Sequence, residues 1–351
     1  MPDFYKLARK VLFRLDAETA HHLTLDGMRW AERLRVLGPL TGSCCAPDES
    51  EANAVTVMGL RFPNRVGLAA GLDKAGVAID AFGSLGFGHV EIGTVTPRPQ
   101  PGNEKPRLFR LIEHEAIINR MGFNNPGVEA LLANVAKSRH RFRGILGINI
   151  GKNFDTPNER ALDDYLIAFQ GVYGAADYVA VNLSSPNTKG LRDLQTVETC
   201  RELIRVLQAA RDELAPTFDG KRVPIAIKIA PDLSDEQIRD LANVFSECRI
   251  DGVIATNTTI ERKAVAGHPR SAEAGGLSGA PVRQRSTEVI RVLRDYLDAS
   301  IPIIGVGGIL SGSDACEKIE AGAALVQIYS GLVYRGPALV HEVRDATCAS
   351  A

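Results

Sequence analysis

The residues best suited to chemistry cluster where one apolar run ends, in YVAVNLSSPNT at 178–188. Val179, Val181 and Leu183 alternate with Tyr178, Ala180 and Asn182, the period of a β-strand. Asn182 therefore points where a core residue would otherwise sit. Its amide offers two donors and two acceptors, and leaving such a group unpaired in an interior costs about 1–3 kcal/mol, so a polar ligand is its natural partner. Ser184, Ser185, Asn187 and Thr188 follow at once around Pro186. Alone, an SSPN stretch reads as a proline turn whose hydroxyls satisfy their own backbone. Seven further apolar runs with similar endings point instead to a shared site.

Those runs lie at 66–70, 89–95, 146–150, 224–229, 252–256, 302–306 and 324–328. The first leads into Ala70, Gly71, Leu72, Asp73 and Lys74, the second ends in Gly93 and Thr94, and the third carries Asn149 before Lys152 and Asn153. Lys228 shares a face with Ala226 and Ala230. The last three runs end in Thr256–Thr258, in Gly307 and Gly308, and in Tyr329, Ser330 and Gly331. Some of these residues have plain structural readings: Asp73 as a helix N-cap, Gly71 as a turn glycine, Thr94 and Thr256 as ordinary β residues. Lys228 is different, because a lysine buried without a partner loses its charge unless an anion or an electron-rich ring such as a flavin meets it. The glycines after the last two runs can offer backbone N–H groups to a phosphate. None of the seven histidines falls at the end of a run, and paired carboxylates are missing there. That argues against glycoside hydrolysis and carboxylate-bound metal catalysis. Asparagines, lysines, threonines and a serine suit another task, holding a planar polar heterocycle and a phosphate-bearing cofactor that performs the difficult step.

Eight apolar runs mostly followed by helical segments, with helices expected at 158–174, 198–214, 234–249 and 284–298 and an insertion at 97–123, predict an α/β fold of the TIM (β/α)8 type. In such a barrel every run would deliver its last residues to one rim. A doubly wound sheet is the alternative, but GVGGIL at 305–310 lacks the third glycine of the dinucleotide fingerprint. Ahead of the barrel, a small β element is expected at 55–62, a linker at 38–50 and two amphipathic helices within 1–40. Phe4, Leu7, Ala8, Val11, Leu12 and Leu15 recur at helical spacing in the first helix; Leu23, Trp30, Leu34 and Leu37 stand beside Arg29, Arg33 and Arg35 in the second. Such helices can dock on the barrel, grip a membrane surface, or both, and docking is the reading preferred for the apolar stripe. The domain division is thus 1–40, 41–53 and 54–351. A net charge of −1 and no long Lys/Arg run exclude a nucleic-acid binder by charge. Six cysteines without CxxC or framework spacing indicate a reducing compartment and no structural metal. No apolar stretch reaches the ~20 residues of a membrane span.

The motifs AAGLDKAG (69–76), EIGTVTPRPQPGNEKPRLFRL (91–111), INRMGFNN (118–125), GINIGKN (147–153), NLSSPNTKGLR (182–192), IKIAPDLS (227–234), GVIATNTT (252–259), GGLSG (275–279), IIGVGGI (303–309) and LVQIYSG (325–331) closely resemble those of dihydroorotate dehydrogenases. The resemblance covers nearly the whole chain. The helical extension, and serine rather than cysteine at the base position, resemble the class 2, quinone-linked, membrane-associated branch in its bacterial form. That implies oxidation of dihydroorotate to orotate in pyrimidine biosynthesis, with FMN as hydride acceptor and a membrane quinone as final acceptor. It makes Ser185 the base at C5, Thr188 its proton relay and Phe123 the ring that excludes water. Asn119, Asn182, Asn187, Asn257 and Thr258 would hold the pyrimidine, and Lys74 with the backbone of Arg120, Met121, Gly122 and Phe123 its carboxylate end. FMN would meet Ala70, Gly71, Leu72, Asp73, Lys74, Thr94, Asn149, Asn182, Lys228, Thr256, Gly279, Gly308, Tyr329 and Ser330. The two helices would form an apolar quinone tunnel ending at Arg110 and Tyr329; from the residues alone, a plain salt bridge is an equal reading of Arg110. The resemblance further implies a monomer, peripheral on the cytoplasmic face of a bacterial inner membrane. The rivals are another FMN barrel acting on a pyrimidine such as a uracil derivative, against which stands the missing iron–sulfur cysteine set, and a flavin-free barrel that binds a phosphate metabolite.

Overall fold

A computed structural model describes residues 4–37, 53–188 and 190–348. The expected linker at 38–50, with Cys44 and Cys45, lies outside the described residues. Helices α1 (Phe4–Leu12) and α2 (Ala17–Arg33) precede a hairpin of β1 (Val55–Val57) and β2 (Leu60–Phe62), whose turn places Met58 and Gly59 at φ 54° and 74°. Those left-handed angles match the twist of a two-residue hairpin. The chain continues through β3 (Val66–Leu68), α3 (Ile79–Gly83), β4 (His89–Val95), β5 (Leu108–Leu111), β6 (Ala116–Asn119), α4 (Val128–Ser138), β7 (Ile145–Ile150), α5 (Ala161–Val172) and β8 (Tyr178–Asn182). It ends with α6 (Val197–Leu214), β9 (Ile225–Ile229), α7 (Asp235–Glu247), β10 (Gly252–Ala255), β11 (Gly276–Gly279), α8 (Arg283–Tyr296), β12 (Ile303–Val306), α9 (Gly312–Glu320), β13 (Leu325–Ile328), α10 (Ser330–Arg335) and α11 (Ala338–Cys348).

Strands β3, β4, β7, β8, β9, β10, β12 and β13 pair in parallel, and β13 returns to β3 to close the barrel. All eight expected runs are its strands. The alternation in β8 sorts residues as expected: Tyr178 and Ala180 pack inside with Ala226, Ile254, Ile304 and Leu325, while Val179, Val181 and Leu183 join the larger layer between strands and helices. The hairpin plugs the lower mouth, with Phe62 fully buried edge-on against His89 and Met58 under Gly252. Sequence-local signals start the outer helices. Thr196 caps α6 by accepting the Thr199 N–H, and Ser234 and Gln237 form a reciprocal capping box on α7.

The insertion at 97–123 supplies β5 and β6, which continue in a three-stranded antiparallel sheet with β11, Asn119 opposite Gly276. This sheet stands at the upper rim and carries Asn119 and the residues after it over the barrel mouth. The N-terminal helices dock beside it, but not through their largest residues. Leu7, Val11, Leu23, Trp30 and Leu34 are 56–69% exposed. The docked face is made of smaller groups, among them Ala17, Ala20 and Thr24, with Leu12, Phe13, Leu25, Met28 and Leu37. The expectation that the Leu23–Trp30–Leu34–Leu37 stripe docks therefore holds for Leu37 alone.

Candidate active site

Because all barrel strands point one way, their last residues meet at one rim, and a cleft of about 120 Å³ opens there. Ala70, Gly71 and Lys74 line it from the end of β3, Thr94 from β4, Asn182, Ser185 and Asn187 from β8, and Lys228 from β9. Thr256, Asn257 and Thr258 follow β10; Gly308 follows β12; Tyr329 and Ser330 follow β13. The rim sheet adds Asn119, Met121, Gly122, Phe123 and Gly279. Of the remaining expected residues, Leu72 faces a second cavity, while Asp73, Asn149, Thr188 and Arg120 stand outside the cleft lining.

The polar side chains form a connected network. Thr94 donates Oγ1–H to Asn149 Oδ1 at 2.5 Å, and Asn182 donates Nδ2 to Thr94 Oγ1 at 3.0 Å. Asn257 reaches Asn182 Oδ1 at 3.2 Å and Ser184 Oγ at 3.0 Å; Asn187 donates to Asn119 Oδ1 at 3.1 Å. Two acceptors are left over among the described residues: Gln327 Oε1, on the floor, and Asn187 Oδ1, beside Ser185, are buried without a partner. A ligand N–H is what the Asn187 position lacks. Ser185, 6% exposed, accepts the Asn187 N–H on Oγ at 3.3 Å, a contact that favours a developing alkoxide. No hydrogen bond joins Ser185 to Thr188. Phe123 holds φ 54°, uncommon for an aromatic residue, and its ring lies so near Gly151 that a Cβ there would stand 2.9 Å away. Lys74 donates to Asn124 Oδ1 at 2.6 Å; burial pushes its ammonium down to about 7, Arg107's charge adds to the fall and Glu18 opposes it.

Three residue-level expectations need correction. Lys228 is not without a partner: Glu91, inward on β4 and fully buried, stands 3.6 Å from its ammonium. Glu91 also accepts from Asn149 at 2.8 Å, Tyr178 at 2.9 Å and Gln327 at 2.8 Å, so the floor of the cleft is an ionic layer. Asp73 does not cap a helix; its carboxylate accepts the N–H groups of Val77 at 2.9 Å and Ala78 at 2.7 Å, and α3 starts later, at Ile79. Among the described residues Arg110 makes no salt bridge. It donates to the carbonyls of Leu12 and Leu15 and lies 4.7 Å above the Phe13 ring. Glu91 and Gln327 were missed by the sequence reading, although inward alternation from His89 through Glu91 to Gly93 could have found the first.

The second cavity, about 500 Å³, lies between the two N-terminal helices and the barrel. Leu12, Leu25, Met28, Leu72, Phe82 and Leu85 make it apolar, and Arg110 and His21 are among its few polar groups. Burial, with the charge of Lys74, pushes His21 down to about 4, so this imidazole is neutral at pH 7. Tyr329 borders both cavities, and burial raises its phenol to about 12.

A flavin mononucleotide fits this cleft on structural grounds. Gly307 and Gly308 adopt φ 122° and 71°, and their N–H groups find no acceptor among the described residues. A Cβ on Gly308 would stand 2.4–2.8 Å from Arg283, so the backbone is held open toward the cleft. Lys228 places a cation at the floor beneath.

The sequence profile described as Dihydroorotate dehydrogenase matches residues 52–348. The chain is 61% identical over 343 residues to the dihydroorotate dehydrogenase (quinone) of Chromobacterium violaceum, covering 98% of this chain and 97% of that protein. It is 54% identical over 347 residues to the protein of the same name from Neisseria meningitidis serogroup C, covering 99% and 98%. The crystal structure of the Eimeria tenella dihydroorotate dehydrogenase in complex with ferulenol superposes with a TM-score of 0.82 at 40% identity, covering 93% of this chain and 90% of that one.

Proposed function

Because the chain belongs to the dihydroorotate dehydrogenase family, its reaction is the oxidation of dihydroorotate to orotate with a quinone as final electron acceptor, and we propose that its two cavities divide that reaction between them. The rim cleft takes dihydroorotate against FMN, and the helix-lined cavity takes the quinone. The observation that carries this reading is Tyr329, whose ring is a wall of both cavities. Bound FMN supplies the two-electron acceptor that no side chain here can provide.

In the cleft, Lys74 receives the substrate carboxylate at the end framed by the backbone of Arg120–Phe123. Asn119, Asn182, Asn187, Asn257 and Thr258 read the polar edges of the pyrimidine, and the unpaired Asn187 Oδ1 takes one of its N–H groups. Ser185 removes the C5 proton as hydride leaves C6. A serine hydroxyl is a weak base on its own, and the Asn187 N–H lowers the free energy of its ionised form. Thr188, buried three residues on, relays that proton through a bridging water, since the two hydroxyls are not directly bonded. Phe123 closes the face over Thr94 and Gly151 to bulk water. Ala70, Gly71, Thr94, Lys228, Thr256, Gly279, Gly308 and Ser330 hold FMN from within the cleft; Leu72, Asp73 and Asn149 support that wall from behind. Arg110 and Tyr329 orient the quinone head group at the inner end of the apolar cavity. No described helix is long and apolar enough to cross a membrane. The exposed leucines of α1 and α2 instead rest on the cytoplasmic face of a bacterial inner membrane, and the protein works there as a monomer.

The test is the visible spectrum of the purified protein. A flavin band should bleach on adding dihydroorotate without oxygen and return with a soluble quinone. Ser185→Ala should retain the flavin but bleach about 10²–10⁴-fold more slowly. A flavin that dihydroorotate leaves unbleached would overturn the cleft assignment, and loss of flavin in Ser185→Ala would make that residue structural.

A further inference from the structure

A buried ion pair joins the N-terminal helices to the other half of the reaction. Glu18, in the first turn of α2, is 4% exposed and receives Arg107 Nη2 at 2.8 Å and Nε at 3.2 and 3.3 Å. Lys105 Nζ stands 3.3 Å away on the outer side, and His22 Nε2 at 3.7 Å. Burial would raise the Glu18 carboxyl, but the bonds and charge of Arg107, with those of Lys105, hold it down at about 2. Arg107 is 7% exposed and directs Nη1 to the carbonyls of Pro101 and Asn103, both at 2.7 Å. Asn103 then donates Nδ2 to Arg120 O at 2.9 Å and its backbone N–H to Met121 O at 3.1 Å; the Arg120 N–H returns to Arg107 O at 2.9 Å. Gly102 lies so close that a Cβ on it would stand 2.2 Å from Met121 O. The loop at 101–107 is thus the backing of the strip at 119–123 that lines the cleft beside Lys74.

We infer that Glu18 is a positioning residue for dihydroorotate: through Arg107, helix α2 holds the Arg120–Phe123 strip, and with it the carboxylate end of the substrate site, in register. The inference rests on the assignment of the cleft to dihydroorotate made above. It gives the helical pair a role in the first half-reaction as well as in the second. Removing one partner of a buried pair strands the other charge, so Arg107 and its loop must rearrange when Glu18 is lost.

The test compares the flavin-loaded protein with its Glu18→Ala and Glu18→Gln variants in the absence of quinone. Bleaching rates against dihydroorotate concentration give a Kd and a limiting rate, and the flavin spectral shift gives the orotate Kd. In Glu18→Ala both Kd values should rise roughly tenfold or more while the limiting rate changes less than about threefold. Glu18→Gln should fall between it and the wild type. Unchanged Kd values, with any effect confined to the quinone KM, overturn the proposal. Should Glu18→Ala fail to fold, Glu18→Gln decides, since the amide keeps the shape and removes the charge. A wild-type flavin that dihydroorotate does not bleach defeats the cleft assignment itself, and that failure is visible before any variant is made.

Discussion

Lys74 is the ammonium proposed above to receive the substrate carboxylate. Burial pushes it down to about 7. An anionic ligand prefers the protonated form, so affinity is full below about pH 7 and falls as the free protein loses that proton above it. Titrating the flavin spectrum with orotate from pH 6 to 9 should show a Kd that is flat at the acid end. Above the break it should weaken by up to about tenfold per pH unit. In Lys74→Met the affinity should be lower and that break absent; a wild-type Kd independent of pH would remove Lys74 from the anion site. Asn182 was legible because a period of two assigns each residue a face, and an amide on an apolar face is conspicuous. Glu91 obeyed the same rule and was overlooked, which left Lys228 seemingly unpaired. The Glu18–Arg107 pair had no such signal: 89 positions separate its members, and nothing in either local pattern announces the other.

Elements were legible in proportion to their regularity. The eight barrel strands and the helices at α5, α6, α7 and α8 follow from apolar runs and caps. The short α3, at 5 residues, is too brief for a helical period to show. The rim sheet was hidden for another reason, since β11 pairs with β6 across more than half the barrel sequence. For α1 and α2 the periodicity was right, but only Ala8, Leu12 and Leu37 of the residues it picked out face the barrel-side cavity, while Leu7, Val11, Leu23, Trp30 and Leu34 do not. Their exposure instead makes a surface of Leu7, Val11, Leu23, Trp30 and Leu34, bordered by Arg29 and Arg33. Trp30 is the single tryptophan of the chain and is 63% exposed. Its fluorescence should shift to the blue and gain intensity with vesicles containing anionic lipid. Leu23→Ser should weaken that partition by roughly tenfold, as expected for burying about one leucine less. An unchanged Trp30 spectrum at saturating lipid would exclude this face from membrane contact.

Across the whole molecule, two cavities with one shared wall let two ligands bind without meeting. A compound that blocks quinone turnover from the helix-lined cavity should therefore leave the orotate Kd within about twofold of its free value, measured by the flavin shift. Displacement of orotate by such a compound would show that the cavities are one site. The seat of α1 has a consequence for biosynthesis. Tyr5 donates to Val333 O at 2.6 Å, Arg9 donates to Tyr334 O, and Tyr5 lies where a Cβ on Gly336 would be, so α1 rests on residues that are made much later, 328 positions further along. At roughly 5–20 residues per second, tens of seconds separate the two on the ribosome. During that interval the Tyr5–Arg9 end of α1 lacks its seat, although Arg110 can already reach the Leu12 carbonyl, and a lipid surface or a chaperone is what the uncovered end can meet. A nascent chain that stalls before residue 333 therefore carries α1 without the wall that Val333 gives the helix-lined cavity, the chamber proposed above for the electron acceptor.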